Sequence, residues 1–235
     1  MFRFDKASLR DAETHLEQAI SMIPSSNYHA WKLMLHQIKG VEQSEGNWQH
    51  DMELGRAHIA QAEAALKSNA LTSALLAQGQ VMLNDNQDIA HHHANRAKTI
   101  NPANPFVYSA IASVELRRGE NKAGFAASLC GVELAGATSY AAWWHLMAGL
   151  SALKMEALEI ATDHFHKAHL HAPSFRAPLR HLFALSKAIG TEEDAEKYKK
   201  RLRACEPNFT VERLKSDPDY PASTLRNSSL VAKLY

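Results

Sequence analysis

Ala161-Thr162-Asp163-His164-Phe165-His166-Lys167-Ala168-His169-Leu170-His171-Ala172-Pro173 is the stretch on which the fold turns. Within it Ala161, Phe165 and Ala168 stand four and then three residues apart, and Pro173 follows twelve residues after the first. On an α-helix that spacing puts the three side chains on one face. Small residues there let a second helix approach closely, and the proline past the last of them stops the helix. The pattern recurs as Ala12-Leu16-Ala19-Pro24, Ala90-Ala94-Ala97-Pro102 and Ala195-Lys199-Leu202-Pro207. Two looser copies, Ala57-Gln61-Ala64-Asn69 and Gly124-Ser128-Gly131-Gly136, carry Asn or Gly at the stop.

The six copies begin at 12, 57, 90, 124, 161 and 195, so their separations are 45, 33, 34, 37 and 34. Six phased copies at a period near 34 resemble the tetratricopeptide repeat family. Gly79 and Gly149 fit the small-residue site of that family's first helix, whereas its usual Trp and Tyr positions are poorly kept. The resemblance implies an all-α fold of about 11 to 13 helices. Antiparallel pairs would stack into a right-handed superhelix with a concave and a convex side. Residues 1–207 form the expected array and residues 208–235 a capping tail. The long first separation implies about eleven extra residues around Glu42-Gln43-Ser44-Glu45-Gly46-Asn47, and three more lengthen the turn near Gly136-Ala137-Thr138. Gly190 fits a helix stop, and Thr191-Glu192-Glu193-Asp194 fits a capping box with Asp in place of Glu.

The first recognisable helix, about Leu9 to Ile23, reads as the second helix of a repeat whose first helix is missing. Its apolar face then needs a cover: upstream sequence, which is the favoured expectation, another chain, or the N-terminal residues. At the other end, Asn208-Phe209-Thr210-Val211-Glu212-Arg213-Leu214 follows Pro207, and Ser228-Ser229-Leu230-Val231-Ala232-Lys233-Leu234 follows a polar turn. This tail, with Ala7-Ser8-Leu9 through Pro24 and the junction Pro173-Ser174-Phe175-Arg176-Ala177, resembles the C-terminal repeat region of bacterial winged-helix transcriptional regulators and adenylate cyclases. The resemblance implies a sensing part whose output domain lies upstream. No cyclase or DNA-reading motif of those families occurs here, so those activities do not carry over.

The chain has 235 residues, 26 Lys plus Arg and 25 Asp plus Glu, for a formal net charge of +1. Such balance gives no general pull toward nucleic acid or membrane. Hydrophobic residues at 46% suit a continuous core rather than disorder. The two cysteines, Cys130 and Cys205, have no metal or redox spacing and read as reduced and buried, in a cytoplasmic protein. The start lacks the apolar run of a signal peptide. Leu134 to Leu153 holds 20 residues without Asp, Glu, Lys or Arg, long enough for a span. Its Gly136, Thr138, Ser139, His145, Gly149 and Ser151 argue for a soluble turn and helix instead.

In the resembled fold, positions two, five, nine, twelve and thirteen of each first helix line the concave groove. Units counted from 105, 142 and 176 place there Phe106, Ser109, Ser113, Leu116 and Arg117; Trp143, Leu146, Leu150, Leu153 and Lys154; and Ala177, Arg180, Ala184, Lys187 and Ala188. An apolar floor with a basic rim suits a peptide with acidic flanks, and Trp143 and Arg180 are frequent anchor types. The competing reading is a tight superhelix in which these residues pack on one another. The family's carboxylate clamp of Lys and Asn is absent, which argues against chaperone-tail binding.

His164, His166, His169 and His171 crowd one helix, and His91-His92-His93 point three ways. Both runs read as solvated faces rather than metal sites, which need converging ligands and a supporting shell. Asp88 and His92 stand at pairing distance on the helix. Lys197-Tyr198-Lys199-Lys200-Arg201-Leu202-Arg203 is basic, but the same helix opens with Glu192, Glu193, Asp194 and Glu196, which complements the helix dipole. No phosphate loop, nucleophile elbow or Cys-x-x-Cys is present, so neither catalytic site nor cofactor is expected. The sequence thus points to a non-catalytic interaction or sensing module binding a protein, peptide or effector. A homodimeric scaffold joined through the first helix is the alternative, and a histidine-cluster metal protein ranks third.

Overall fold

The computed structural model describes residues 1–42 and 48–234. Among the described residues, eleven helices make the array: α1 (Lys6–Met22), α2 (Ser26–Glu42), α3 (Trp48–Ala64), α4 (Ala70–Leu83), α5 (Gln87–Ile100), α6 (Pro105–Arg118), α7 (Asn121–Ala135), α8 (Ala141–Lys154), α9 (Leu158–His171), α10 (Arg176–Ile189) and α11 (Glu192–Cys205). Two short helices follow, α12 (Val211–Ser216) and α13 (Ser223–Arg226), and then a 3-10 turn, Ser229–Lys233. Each even-numbered helix from α2 to α10 packs against the odd one after it, α2, α4, α6 and α8 lie side by side in order, and α10 returns against α2. This is the tetratricopeptide-like solenoid that the period implies.

The phased residues hold the pairs together. Ala90, Ala94 and Ala97 of α5, and Ala161, Phe165 and Ala168 of α9, are almost fully buried. Gly149 of α8 shows why size matters: an added Cβ would stand 2.6 Å from the Phe165 ring. Gly131 of α7 likewise lies flat against Trp144, whose indole N–H donates to the Pro105 carbonyl at 2.9 Å. The turns follow local chemistry. Asn69, Asn86 and Asn104 cap α4, α5 and α6, and Pro105 opens α6 at the first turn, where no N–H is needed. The Thr191 hydroxyl accepts from the Asp194 amide at 3.1 Å, which is the cap expected from the sequence.

The extra residues of the first unit are partly helical. α2 and α3 run 17 residues each, against 14 in α4 and α5. Gln43 to Asn47, where the insertion was expected, lie outside the described residues. The later lengthened turn sits between α7 and α8, beginning at Gly136, whose φ of 59° suits glycine.

The superhelix is tight enough to touch itself. Arg180 of α10 donates to the Val41 carbonyl at 2.7 Å, across 139 residues of sequence. Phe175, which precedes α10, supplies no side-chain cap. The buried Glu42 carboxylate caps that helix instead, accepting from the Arg176 and Ala177 amides at 3.0 and 3.3 Å. Arg176 also donates to the Glu42 carbonyl. The tail finishes the closure. Phe209, Leu214, Tyr220, Leu225 and Leu230 are buried, and Arg180 bridges Glu206 and the Tyr220 hydroxyl at 2.9 Å each.

No helix among the described residues is long and apolar enough to cross a membrane. Cys130 is exposed, against the expectation of a buried thiol, because it faces outward on α7; Cys205 is half-buried.

Candidate functional site

The inner surfaces of α4, α6, α8 and α10 form a channel, and that channel has two unlike halves. One half is aromatic and occupied. Phe4 is buried, with its ring parallel to Phe175 at 3.8 Å and to Trp143 at 6.5 Å. Phe2 sits among Trp31, Phe106 and Tyr140 at centroid distances of 5.9 to 6.4 Å. Behind the rings, the Trp143 indole N–H donates to Ser109 at 3.0 Å, and Ser109 donates to Gln78 at 3.2 Å. A buried polar relay of this kind fixes the Trp143 ring.

The other half is open. A cavity of about 370 Å³ runs along the C-terminal ends of α4 and α6, the length of α8 and the start of α10, lined by Leu116, Leu146, Met147 and Leu150 and by Pro221 to Thr224 of the tail. Arg117 and Lys154 stand at its rim. Arg117 is held by Asp85 at 2.6 Å, and Lys154 donates to the Leu116 carbonyl at 2.9 Å. Burial lowers the Lys154 pKa, with Arg117 adding repulsion. A second, polar cavity of about 360 Å³ shares those two cations and adds Asn121, Glu156 and the tail's Ser228 and Ser229. The positive φ of Asp85 and Glu156, 52° and 59°, marks the sharp exits of α4 and α8 beside these cavities.

The residues expected in the groove separate along this division. Ser113, Leu116, Arg117, Trp143, Leu146, Leu150, Lys154 and Ala177 converge on the open cavity. Phe106 and Ser109 belong to the aromatic half, and Leu153 lines the polar cavity. Arg180 is fully buried in the closure described above and faces no opening. Lys187 pairs with Glu192 at 2.7 Å, away from the cavity, and Ala184 lies in the core. The named positions therefore divide between an open cavity and packed side chains.

Sequence patterns did not reveal the plug or the tail's part in the open cavity. The signal for the plug was present: Met1-Phe2-Arg3-Phe4 sets two aromatic residues ahead of Asp5, the cap of α1. Such rings outside a helix need a place to bury. The tail segment, Pro221 to Thr224, reads in sequence only as a polar turn.

Three of the clustered histidines depart from the solvated reading, whereas His166 is exposed as that reading has it. His164 is buried, with its Nδ1 3.0 Å from that of His145, and His169 is buried beside Arg201 at 2.9 Å. His93 turns inward to Glu63 at 3.3 Å, while His91 and His92 are exposed. Each buried ring fills a gap between neighbouring helices, which outward helical spacing alone does not disclose. Burial lowers the pKa of His145 to about 4, with His164 adding repulsion. Among the described residues, no group of three or more His, Cys, Asp or Glu is arranged to hold a metal ion.

Comparisons with known proteins support the architecture. No family model matches the chain, and no curated protein matches its sequence. Solved structures do match. PilW, a widely conserved type IV pilus biogenesis factor, is 18% identical with a TM-score of 0.58, covering 86% of this chain and 88% of that one. The APC/C hetero-tetramer Cut9–Hcn1 is 10% identical with a TM-score of 0.64, covering 94% of this chain but 40% of the matched one. At such identities the likeness is one of fold.

Proposed function

We propose that the chain is a non-catalytic interaction module that takes a protein or peptide segment in the open half of its channel. The observation that carries this is the convergence of Leu116, Arg117, Leu146, Leu150 and Lys154 on one cavity of about 370 Å³. An apolar floor with cations at the rim suits an apolar side chain followed by an acidic or carbonyl-rich flank. The similar Cut9–Hcn1 structure is itself an assembly of two different proteins, which agrees with a partner-holding role for the architecture.

The finer context rests on the resemblance of the tail to bacterial regulators. In that reading the chain is the cytoplasmic sensing part of a transcriptional or signalling regulator. Partner binding would bias its closure between α2 and α10, because a ligand shifts only an equilibrium whose two states it binds unequally. A second reading, a homodimer through the first helix, is favoured by Met22 and Ile23, which are 79% and 63% exposed at the end of α1. Light scattering that finds only monomer at high concentration counts against it.

The test of the main reading is site-directed photo-crosslinking in the native cell. A photoreactive residue at Leu150 is compared with one at Ile160, which is exposed on α9. The channel reading expects a protein adduct from position 150 that is lost when Met82, at the cavity edge, is changed to Arg. Adducts from position 160 alone would contradict it.

A further inference from the structure

The aromatic half of the channel is filled by a segment that the array does not need for its own helices. Met1 to Phe4 precede α1 and belong to no repeat. Among the described residues their one backbone hydrogen bond is internal, from the Phe4 amide to the Met1 carbonyl at 3.1 Å. Ring packing therefore holds the segment in place. Phe4 has a φ of 56°, in the left-handed region that residues with a Cβ rarely adopt. Arg3, between the two rings, points away and pairs loosely with Asp5, with its side chain 81% exposed.

The receiving surface is braced by the repeats themselves. Trp31, Phe106, Tyr140, Trp143 and Phe175 come from α2, α6, the turn before α8, α8 itself and the turn before α10. Trp143 is oriented by Ser109, and Phe106 is braced edge-on by Trp31 at 5.3 Å and by Trp144 at 5.1 Å. Two ring-sized slots are thus set up by the repeats and filled by a strained segment with no backbone tie to them.

We propose that these slots are a recognition site for a partner segment carrying two aromatic residues separated by one, and that Phe2-Arg3-Phe4 is its intramolecular stand-in. The occupant defines the chemistry: a flat ring stacked on Phe175 beside Trp143, a second ring against Trp31, Phe106 and Tyr140, and a middle residue of any kind because it faces solvent. The inference rests on the reading of the channel as a binding surface. It concerns the other half, so cross-linking at Leu150 succeeds or fails independently of it. A partner must displace a tethered competitor whose effective concentration is in the millimolar range. Binding in trans is therefore weakened about 10- to 100-fold while the stand-in is present.

The test uses the full chain with Phe2→Ala and Phe4→Ala, and an acetylated peptide of residues 1–8 as the probe, followed by calorimetry. The expected result is one peptide bound per variant chain, with affinity at least about tenfold weaker for the unaltered chain. A peptide with both phenylalanines changed to Ala should bind neither. If the double variant loses helical circular dichroism, Phe2→Leu with Phe4→Leu keeps apolar volume without the stacking rings and takes its place. No binding to a helical variant, or equal binding to variant and unaltered chain, overturns the proposal. An unaltered chain that is dimeric in light scattering, beside a monomeric double variant, also overturns it by assigning the slots to a second copy.

Discussion

The two halves of the channel share the helices α6 and α8 and use different positions along them, yet one is closed and the other open. In the aromatic half, Phe106 and Trp143 meet Phe2 and Phe4 from outside the repeats. In the open half, Leu146 and Leu150 meet no such segment and line a cavity together with Pro221 to Thr224. Repeat register therefore decides which side chains face inward. What the non-repeating ends lay over them decides which are available.

The closure between α2, α10 and the tail is expected to be the most sensitive place to break. Arg180 is fully buried and ties Val41, Glu206 and Tyr220 together. Arg180→Ala leaves Glu206 buried without its cation and removes the contact between the ends of the array. Breaking a buried pair in this way costs about 3–5 kcal/mol. Urea unfolding followed by circular dichroism measures it, and a loss below about 1 kcal/mol would show that the superhelix does not depend on this closure.

Acid should act next most strongly. Burial holds His145 and His181 at about 4, below the ordinary histidine value. The unfolded chain therefore binds more protons than the folded one between about pH 6.5 and 4, so stability falls as pH falls through that window. Each histidine costs about 3 kcal/mol when the window is crossed. Glu42 opposes them: burial raises its pKa to about 7, so it favours the folded state as pH falls from 7 to about 4.5. His58, which burial also lowers to about 4, adds to the fall, so the net expectation is a loss of stability, read from urea midpoints at pH 7 and pH 4. His145→Phe should flatten the fall, whereas Glu42→Gln should steepen it.

Emptying the aromatic half should cost less than breaking the closure, because the segment can detach without unfolding a repeat. Phe4→Ala is expected to lower stability by about 1–3 kcal/mol, below the range for a phenylalanine inside a packed core. It should also raise acrylamide quenching of tryptophan fluorescence, since the Trp143 ring loses its cover. Leu150→Arg in the open half should change stability by less than about 1 kcal/mol, because the side chain is only half-buried at a cavity edge. Its effect belongs to partner binding, which should be lost.

The fold was legible because helix-pair packing imposes a repeating demand for small residues. The triplet at Ala90, Ala94 and Ala97 announces itself in sequence and is buried in structure. The cap at Thr191 was readable for a similar reason, since one side chain satisfies an amide three residues away. The site was less legible. Its inward positions were recoverable from the register, and eight of the fifteen named residues line the open cavity. The fate of the others depends on contacts across most of the chain. Arg180 looked like a surface anchor, but its partners are Val41 and Tyr220, which no local pattern joins to it. The buried histidines fail for the same reason: His164 needs His145 of the neighbouring helix to make sense of its burial.

Thiol labelling tests the division of the channel most directly. With Cys130 and Cys205 replaced by Ser, single cysteines at Leu150 and at Phe106 are exposed to a maleimide, with and without Phe2→Ala and Phe4→Ala. Fast labelling is expected at position 150 in both backgrounds, and at position 106 only when the two phenylalanines are gone. Equally fast labelling of both positions in the background that keeps Phe2 and Phe4, or slow labelling of position 150, would contradict that division.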